Sequence, residues 1–220
     1  MSDFRFKPMN KQPASKWSFS LKKTGSVSPV RVSFGKIFIR PPGESDWQDW
    51  SSLRGRSKEF LTPWEPEWGN NALSSTAFRR RLRNYARDWQ ADKTYSFLIF
   101  KADDETLLGG ITLSNVRRGI VQSASFGYWI GAPYAAQGYM SDALRAALEF
   151  AFTQLELHRM EAACIPSNKA SRRVLEKAGF RHEGMACKYL KINGKWQDHE
   201  TFGLLREEFC EPVKEPPIKG

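Results

Sequence analysis

Two periodicities of apolar residues divide the chain into predicted strands and helices. Apolar residues at every second position predict strands, and apolar residues at three- or four-residue spacing predict helices. The predicted strands are 31–40, Tyr95–Lys101, 107–116, 121–131, 159–165, 180–191 and Lys195–Leu205, the last two joined by a tight turn at Asn193-Gly194. The predicted helices are 44–60, 73–91, a long segment after Gly138, and a short one that Asn168 caps and Gly179 ends.

The order of these elements limits the fold class. One strand and two helices are followed by three strands, a helix, a strand, a helix and two strands. The middle strands follow one another directly, which favours antiparallel pairing, whereas the later strands are separated by crossover helices. This order excludes a Rossmann fold and predicts an α+β, or mixed α/β, fold with a mostly antiparallel central sheet of about seven strands flanked by about four helices.

Charge separates the chain into a domain and two tails. The protein has 220 residues and a net charge of +10. Seven Lys or Arg and one Asp lie within residues 1–31, where apolar periodicity is weak. We therefore expect a basic tail over 1–30, a domain over 31–208 and a second tail over 209–220. The basic tail is either a solvated arm or an arm that contacts RNA, for example on the ribosome.

Composition also bears on the cellular context. The three cysteines fit neither a disulfide framework nor a zinc site, and no apolar run is long enough to span a membrane. The basic N-terminus lacks the apolar segment of a secretory signal. We expect a cytoplasmic protein without membrane contact, either a monomer or a homodimer.

The turn around Gly138 predicts an anion-binding site. A strand-like run ends near Gly131, a turn follows, and an amphipathic helix begins after Gly138. The first turn of a helix presents backbone N–H groups without partners and the positive end of the helix dipole. A phosphate group can bind there through backbone groups alone. The residues that would supply them are Gln137, Gly138, Tyr139, Met140 and Ser141.

A second pattern narrows the identity of the ligand. The sequence Asn168-x-x-Ser171-x-x-x-Leu175-Glu176-Lys177-x-Gly179-Phe180 follows a predicted strand. Together with Tyr128-Trp129-Ile130-Gly131 and Gln137-Gly138-Tyr139-Met140, it resembles the acetyl-CoA-binding signature of GCN5-related N-acetyltransferases (GNAT). The resemblance covers about residues 30–208. It implies a sheet that splays in its middle, acetyl-CoA as the acetyl donor, and no metal.

Segments outside this signature resemble the RimJ/RimL-type ribosomal-protein-alanine N-acetyltransferases within that superfamily. They are 60–66, 114–119, His158-Arg159 and 189–199. This resemblance implies transfer of an acetyl group to the N-terminal α-amine of a protein, a ribosomal protein in this branch, by direct attack in a ternary complex. Two other interpretations stay open: acetylation of a small-molecule amine, and a ribosome- or RNA-associated binding protein with an accessory acetyltransferase site.

The resemblance also assigns the residues around the pantetheine arm. It places the arm along the splayed end of strand 121–131, on the peptide groups of Trp129, Ile130 and Gly131. Asn168 would bond the arm, and Ser171 would lie near the sulfur and protonate the leaving thiolate.

Two departures from the family pattern affect this assignment. The family turn usually has Gln or Arg where this chain has Ala135, and Gly or Ala where it has Met140. Phosphate binding should therefore depend on the backbone of the turn. Relatives often carry an acidic residue at the position of Lys188, which leaves the general base unassigned.

The catalytic residues predicted from the sequence are Ser171, Glu161 and Tyr189. Glu161 is one candidate for the base, and Glu65 and Asp198 are unranked alternatives; His199 is a candidate proton shuttle. We expect Trp64, Glu65 and Tyr189 to line the slot for the substrate. Nothing near Cys164 in the sequence indicates a lowered thiol pKa, so we expect no acetyl-cysteine intermediate.

Overall fold

One sheet of eight strands forms the centre of the computed structural model, which describes residues 30–210. Its strands are β1 (Val32–Phe34), β2 (Ile37–Arg40), β3 (Tyr95–Lys101), β4 (Leu107–Arg117), β5 (Ser123–Ile130), β6 (Arg159–Cys164), β7 (Arg181–Ile192) and β8 (Lys195–Leu205). They are arranged in the order β1-β2-β3-β4-β5-β6-β8-β7. All neighbours are antiparallel except β5 and β6, which are parallel. The predicted mixed, mostly antiparallel architecture is confirmed.

Six helices accompany the sheet within residues 30–210. They are α1 (Trp47–Arg56), α2 (Lys58–Leu61), α3 (Ser75–Gln90), α4 (Tyr139–Glu149), α5 (Lys169–Lys177) and α6 (Arg206–Cys210), and a π-helical segment, Phe150–Gln154, extends α4. None of the helices in this part of the chain has the length and apolar character needed to cross a membrane. The predicted tails, 1–30 and 209–220, lie almost wholly outside the described residues.

Two predicted elements are each divided in the structure. The predicted strand 31–40 is a hairpin, because Gly35 has φ +54° and reverses the chain between β1 and β2. The sheet therefore has eight strands rather than about seven. The predicted helix 44–60 is interrupted at the buried Ser57, which separates α1 from α2. Together with the short α6, this division accounts for six helices rather than about four.

Local turn and cap signals agree with the structure. Asn193 and Gly194 have φ values of 43° and 76°, as a type I′ turn between β7 and β8 requires. The side chain of Asn168 accepts a hydrogen bond from the backbone N–H of Ser171 at 3.0 Å and caps α5. Gly179 has φ +95° directly after that helix.

Apolar side chains form a core on each face of the sheet. On one face, α4 and α5 pack against the central strands through residues such as Leu144, Leu148 and Leu175. On the other face, Leu53 of α1 and Phe78 of α3 pack against neighbouring strands. Helices thus cover both faces, and the central strands are shielded from water.

The single parallel pair is short. Strand β5 pairs with β6 only over Ser123–Phe126, opposite Arg159–Ala162. Further along, β5 continues to pair with β4, from Gly127 opposite Thr112 to Ile130 opposite Gly109. The two parallel strands therefore separate after Phe126, which is the splay expected in the middle of the sheet.

Close packing of β4 against β5 depends on the absence of a side chain at Gly109. A Cβ atom there would lie 2.3 Å from the carbonyl oxygen of Trp129, which is backbone and cannot swing away. Glycine inside a strand marks such close approaches. Gly127, on the facing strand, has no heavy atom within 4 Å of its own Cβ position.

We predict that Gly109→Ala lowers the free energy of unfolding by roughly 1–3 kcal/mol, because the added methyl group forces β4 and β5 apart. Gly127→Ala adds the same methyl group to open space and should change the free energy of unfolding by less than about 0.5 kcal/mol. Urea denaturation of both variants provides the comparison. Equal stabilities would show that the close approach at Gly109 does not constrain the sheet.

Candidate active site

The N-terminus of α4 presents a set of backbone donors without partners. The first bond of the helix runs from the N–H of Asp142 to the oxygen of Gly138 at 3.1 Å. Within residues 30–210, none of the backbone N–H groups of residues 137–141 donates a hydrogen bond to the protein. These five groups are the ones predicted to bind phosphate. The side chain of Met140 is buried in the core, so Met140 can contribute only its backbone.

Gly138 shapes this set of donors into an open concavity. Gly138 has φ +87° and is the N-cap of α4, and Ala136 before it has φ 60°. Successive N–H groups in such left-handed turns converge on one point and favour anions. No heavy atom lies within 4 Å of the Cβ position of Gly138. The space above the helix end is therefore wide enough for a phosphate group, and the residues fit the predicted pyrophosphate.

The separated half of β5 turns some of its peptide groups toward the opening. Along a strand, peptide groups alternate in direction. The N–H of Gly131 bonds the oxygen of Leu108, and the oxygen of Gly131 accepts from Tyr134. By this alternation Trp129 directs its peptide groups to β4, whereas Tyr128 and Ile130 direct theirs to the opening left by β6. Of the three residues predicted to hold the pantetheine arm, Ile130 has the required orientation, and the peptide groups of Gly131 already have partners.

A hydrogen bond across the opening links β5 to α5. The hydroxyl oxygens of Tyr128 and Ser171 are 2.8 Å apart. Burial raises the pKa of Tyr128 far above its ordinary value, so the phenol remains protonated at any physiological pH. Asn168 fixes the backbone of Ser171 from the other side. Ser171, the predicted proton donor, is thus held by two neighbours, one of which the sequence did not indicate.

Cys164 and Glu200 lie opposite each other where β6 ends. Burial and the nearby Glu200 carboxylate raise the pKa of the Cys164 thiol to about 11. A thiol with this pKa is almost entirely neutral near pH 7, which argues against an acetyl-cysteine intermediate. One oxygen of Glu200 pairs with Arg172 at 2.6 Å, and the other is buried without a partner among the described residues. A buried acceptor without a partner is uncommon in a folded protein, and this one lies on the strand next to β6.

An arginine sandwiched between tryptophans forms a wall on the opposite face of the sheet. The guanidinium of Arg54 lies 4.5 Å from the ring centroid of Trp68 and 4.8 Å from that of Trp129. Its two terminal nitrogens bond both oxygens of Glu65, which also accepts from the indole N–H of Trp68. The backbone oxygen of Glu65 accepts from Asn193 at 2.9 Å, which joins this loop to the β7–β8 turn. Glu65 therefore fixes the wall, and its carboxylate is committed to Arg54.

Two residues predicted to line the substrate slot are exposed. Trp64 is 36% exposed and Tyr189 is 49% exposed. The Tyr189 ring meets the buried imidazole of His199 edge to face, with centroids 5.8 Å apart. Nδ1 of His199 lies 3.0 Å from the carbonyl oxygen of Gln197, so Nδ1 donates a hydrogen bond to that oxygen.

The other two base candidates have hydrogen-bond partners. Glu161 accepts from Arg117 at 2.7 Å and from Arg159 at 3.1 Å, and it lies where β5 and β6 are still paired. Asp198 accepts at 2.7 Å from the backbone N–H of Lys188, which has φ 46° in a bulge of β7. Both carboxylates hold the protein together in these positions, and the structure brings neither beside Ser171.

A groove of about 390 Å³ lies outside the opening between β5 and β6. It is lined by residues 68–74 and by Lys58. It follows the loop that leads into α3 and shares Trp68 with the tryptophan wall. Because it contains none of the donors at α4, it is separate from the opening between β5 and β6.

Comparison with known proteins identifies this arrangement. The family described as an acetyltransferase (GNAT) domain matches residues 36–181. The chain belongs to the GNAT acetyltransferase family. It is therefore an acetyl-CoA-dependent N-acetyltransferase.

Individual relatives and solved structures show which members of the GNAT family this chain is similar to. It is 35% identical over 172 residues to the probable N-acetyltransferase YjcK of Bacillus subtilis (strain 168), covering 78% of this chain and 95% of YjcK. It is 30% identical over 184 residues to the ribosomal protein uS5-alanine N-acetyltransferase of Escherichia coli (strain K12), covering 84% and 95%. The structure of Mycobacterium smegmatis RimJ in complex with CoA-disulfide superposes with a TM-score of 0.76 at 32% identity, covering 84% of this chain and 88% of that chain.

We predict that Gly138→Trp weakens acetyl-CoA binding to this GNAT protein by roughly tenfold or more, a loss of at least about 1.4 kcal/mol. The indole would fill the concavity over the free N–H groups. Gly119→Trp is the matched control, because Gly119 also has positive φ and open space at its Cβ position but lies in the β4–β5 turn. Isothermal titration calorimetry on folded variants measures both. Unchanged affinity in Gly138→Trp would place the phosphates elsewhere.

We predict that Tyr128→Phe lowers kcat about two- to twelvefold, the equivalent of one hydrogen bond of roughly 0.5–1.5 kcal/mol, because the Ser171 hydroxyl loses its orientation. The apparent affinity for acetyl-CoA should change little. In a Ser171→Ala background the same substitution should have almost no further effect, since its partner is already absent. Steady-state kinetics of the four proteins tests this coupling, and additive losses would rule out a shared role.

Proposed function

We propose that this enzyme transfers an acetyl group from acetyl-CoA to the N-terminal α-amine of a protein, and that the protein is a ribosomal one. The observation that carries the proposal is the 30% identity to the ribosomal protein uS5-alanine N-acetyltransferase of Escherichia coli over 95% of its length. A match over nearly the whole length of that enzyme is not confined to the cofactor-binding signature.

The chemistry of an α-amine suits the residues around the slot. The nucleophile must be an uncharged amine. With a pKa of about 7.7–8.0, on the order of 10% of an α-amine is neutral at pH 7, whereas a lysine amine with a pKa of about 10.4 is several hundred-fold scarcer in that form. An α-amine therefore needs little help from a base, which agrees with a site whose carboxylates are held in other interactions.

The acceptor slot is formed by two segments that the protein holds together. Trp64 lies in the loop that Glu65 ties to Arg54 and to the β7–β8 turn. Tyr189 lies on β7, next to that turn. The first residues of an extended peptide would lie between these two aromatic side chains, with the amine directed toward the opening between β5 and β6.

Transfer in this geometry is a direct attack. The neutral amine nitrogen forms a bond to the thioester carbon, the carbon–sulfur bond breaks, and the amine loses a proton. The sulfur leaves as a thiolate, with a pKa near 8.5 in the free thiol. Ser171, oriented by Tyr128, passes a proton to it and takes a replacement proton from water. The backbone groups of Ile130 would orient the arm.

The amine proton requires an acceptor, and we assign this role to His199. Its Nε2 makes no hydrogen bond within residues 30–210, and Tyr189 packs against its ring. Glu65, Glu161 and Asp198 already accept hydrogen bonds from protein groups. We therefore assign Tyr189 to the slot and to the positioning of His199, and Glu161 to the ion pairs that join β4 and β6.

The test uses a peptide that begins with alanine and contains one internal lysine. We expect CoA release with this peptide, one acetyl group on its α-nitrogen by mass spectrometry, and a rate that rises as pH approaches about 7.7–8.0, because the α-amine loses its proton there. The same peptide with a formylated N-terminus is the control and should be inert.

Each part of the proposal has its own contradicting result. Activity on the formylated peptide would assign the enzyme to lysine side chains. Activity on spermidine, with none on any free N-terminus, would assign it to small-molecule amines. The ribosomal part is tested by mass spectrometry of ribosomal-protein N-termini from cells with and without the enzyme; identical acetylation in both would exclude a ribosomal substrate.

A further inference from the structure

Positive charge in the described chain is concentrated on one helix. Residues 30–210 contain 26 Lys or Arg and 21 Asp or Glu, a net charge of +5. Helix α3 alone contains five Arg and one Asp, a net charge of +4. One 16-residue helix therefore accounts for four of the five net charges in this part of the protein. The arginines are Arg79, Arg80, Arg81, Arg83 and Arg87, and all five are exposed.

The arrangement of these arginines is unfavourable for the helix itself. Arg79 and Arg83 are four residues apart, and Arg80 and Arg83 are three apart, so their side chains are neighbours on one surface. Like charges at this spacing destabilise a helix. Within residues 30–210 the one ion pair made by any arginine of α3 joins Arg87 to Asp88. The repulsion among the other arginines is therefore not relieved by acidic partners in the described chain.

Packing on the inner side of α3 fixes which side faces outward. Phe78 is buried against Trp50 of α1, with ring centroids 4.9 Å apart. At the other end Trp89 packs against Phe97 and Phe150. Both ends of the helix are anchored, so the arginines form a rigid charged surface rather than a mobile run of charges. We call Arg79, Arg80, Arg83 and Arg87 the α3 arginine surface.

Helix α3 and the tryptophan wall are linked through Trp50 of α1. The guanidinium of Arg81 lies 5.6 Å from the ring centroid of Trp50, and the guanidinium of Arg54 lies 5.8 Å from the same centroid. Arg54 is the centre of the tryptophan wall. Helix α3 therefore reaches the tryptophan wall through Trp50, and a macromolecule bound along α3 would lie near that wall.

We propose that the α3 arginine surface binds the phosphate backbone of a folded RNA. Successive arginines one helical turn apart give a regular row of cations about 5–6 Å apart, which matches a regular polyanion better than the mixed surface of a globular protein. All five cations of α3 are arginine and none is lysine. The planar guanidinium bonds phosphate oxygens in pairs, which favours phosphate recognition. The site is distinct from the basic segment 1–29 and does not depend on which amine the enzyme acetylates.

The test compares two variants of the full chain with equal loss of charge. Arg79→Gln/Arg80→Gln/Arg83→Gln removes three cations of the surface that have no ion-pair partner in the described chain. Lys177→Gln/Arg181→Gln/Arg206→Gln removes three exposed cations near β7 and β8, where Arg181 makes one exposed pair with Glu208. The basic segment 1–29 is the same in both, so its contribution cancels. Binding of a fluorescein-labelled RNA stem-loop is measured by anisotropy over a range of salt concentrations.

We expect the α3 variant to bind the stem-loop more weakly by on the order of tenfold or more, and the slope of log K against log salt to fall by about two to three as three phosphate contacts are lost. The control variant should keep the affinity and slope of the parent chain. Thermal unfolding of the α3 variant should occur at the same temperature or higher, because like-charge repulsion is removed.

Three results would overturn the proposal. Equal weakening in both variants would indicate general attraction without a site. Unchanged binding in the α3 variant would show that RNA binds at another surface or does not bind at all. Competition by polyglutamate as effective as by unlabelled stem-loop, at equal charge concentration, would indicate an acidic protein partner. Acetylation of the free alanine peptide should be the same in both variants, so a failed RNA test and a failed substrate assignment are separate outcomes.

Discussion

The separation of β5 from β6 after Phe126 is the constraint on which the functional architecture depends. While the two strands are paired, their peptide groups bond each other; once they separate, those of Tyr128 and Ile130 have no strand to bond. These half-exposed peptide groups can bond a ligand that carries its own amides. The N-terminus of α4 lies at the end of the same chain segment and adds an anion site. The fold thus offers two adjacent sites to a linear ligand. One is a stretch of strand that can bond amides, and the other is a helix end that can bind phosphate.

Contacts from other elements hold this opening in place without a ligand. Leu53 of α1 packs so closely on Gly131 that a Cβ atom there would lie 2.4 Å from its methyl group. The hydroxyl of Ser57 accepts a hydrogen bond from the backbone N–H of Ala132 at 2.9 Å. The end of β5 is therefore fixed by the α1–α2 junction, while Tyr128 and Ser171 bridge the gap. Such preorganisation reduces the entropy that the cofactor would otherwise lose on binding.

Features set by neighbours in the sequence were predictable, and features set by distant contacts were not. Gly138 and Asn168 act on the residues next to them, so their glycine and cap signals could be read directly. The hairpin at Gly35 was missed because the apolar alternation continues through its turn. Arg54 and Tyr128 acquire their roles from partners 11 and 43 residues away. The spacing of residues along the sequence does not predict such pairs. The presence of Arg54 among several tryptophans could nevertheless have suggested the tryptophan wall.

The chain binds its anions by two physically different means. Helix α4, which presents the phosphate site, contains Asp142, Arg145 and Glu149 and so has a net charge of −1. Recognition there must come from oriented peptide dipoles, which act over a short range and demand a close fit. The net charge of +4 on α3 acts over a Debye length of about 10 Å at 0.1 M salt and demands little fit. A small ligand that must be placed within a fraction of an ångström suits the first mode, and a large polyanion that only has to be held nearby suits the second. The net positive charge of the described chain therefore lies mainly on α3, and not at the helix end that presents free N–H groups.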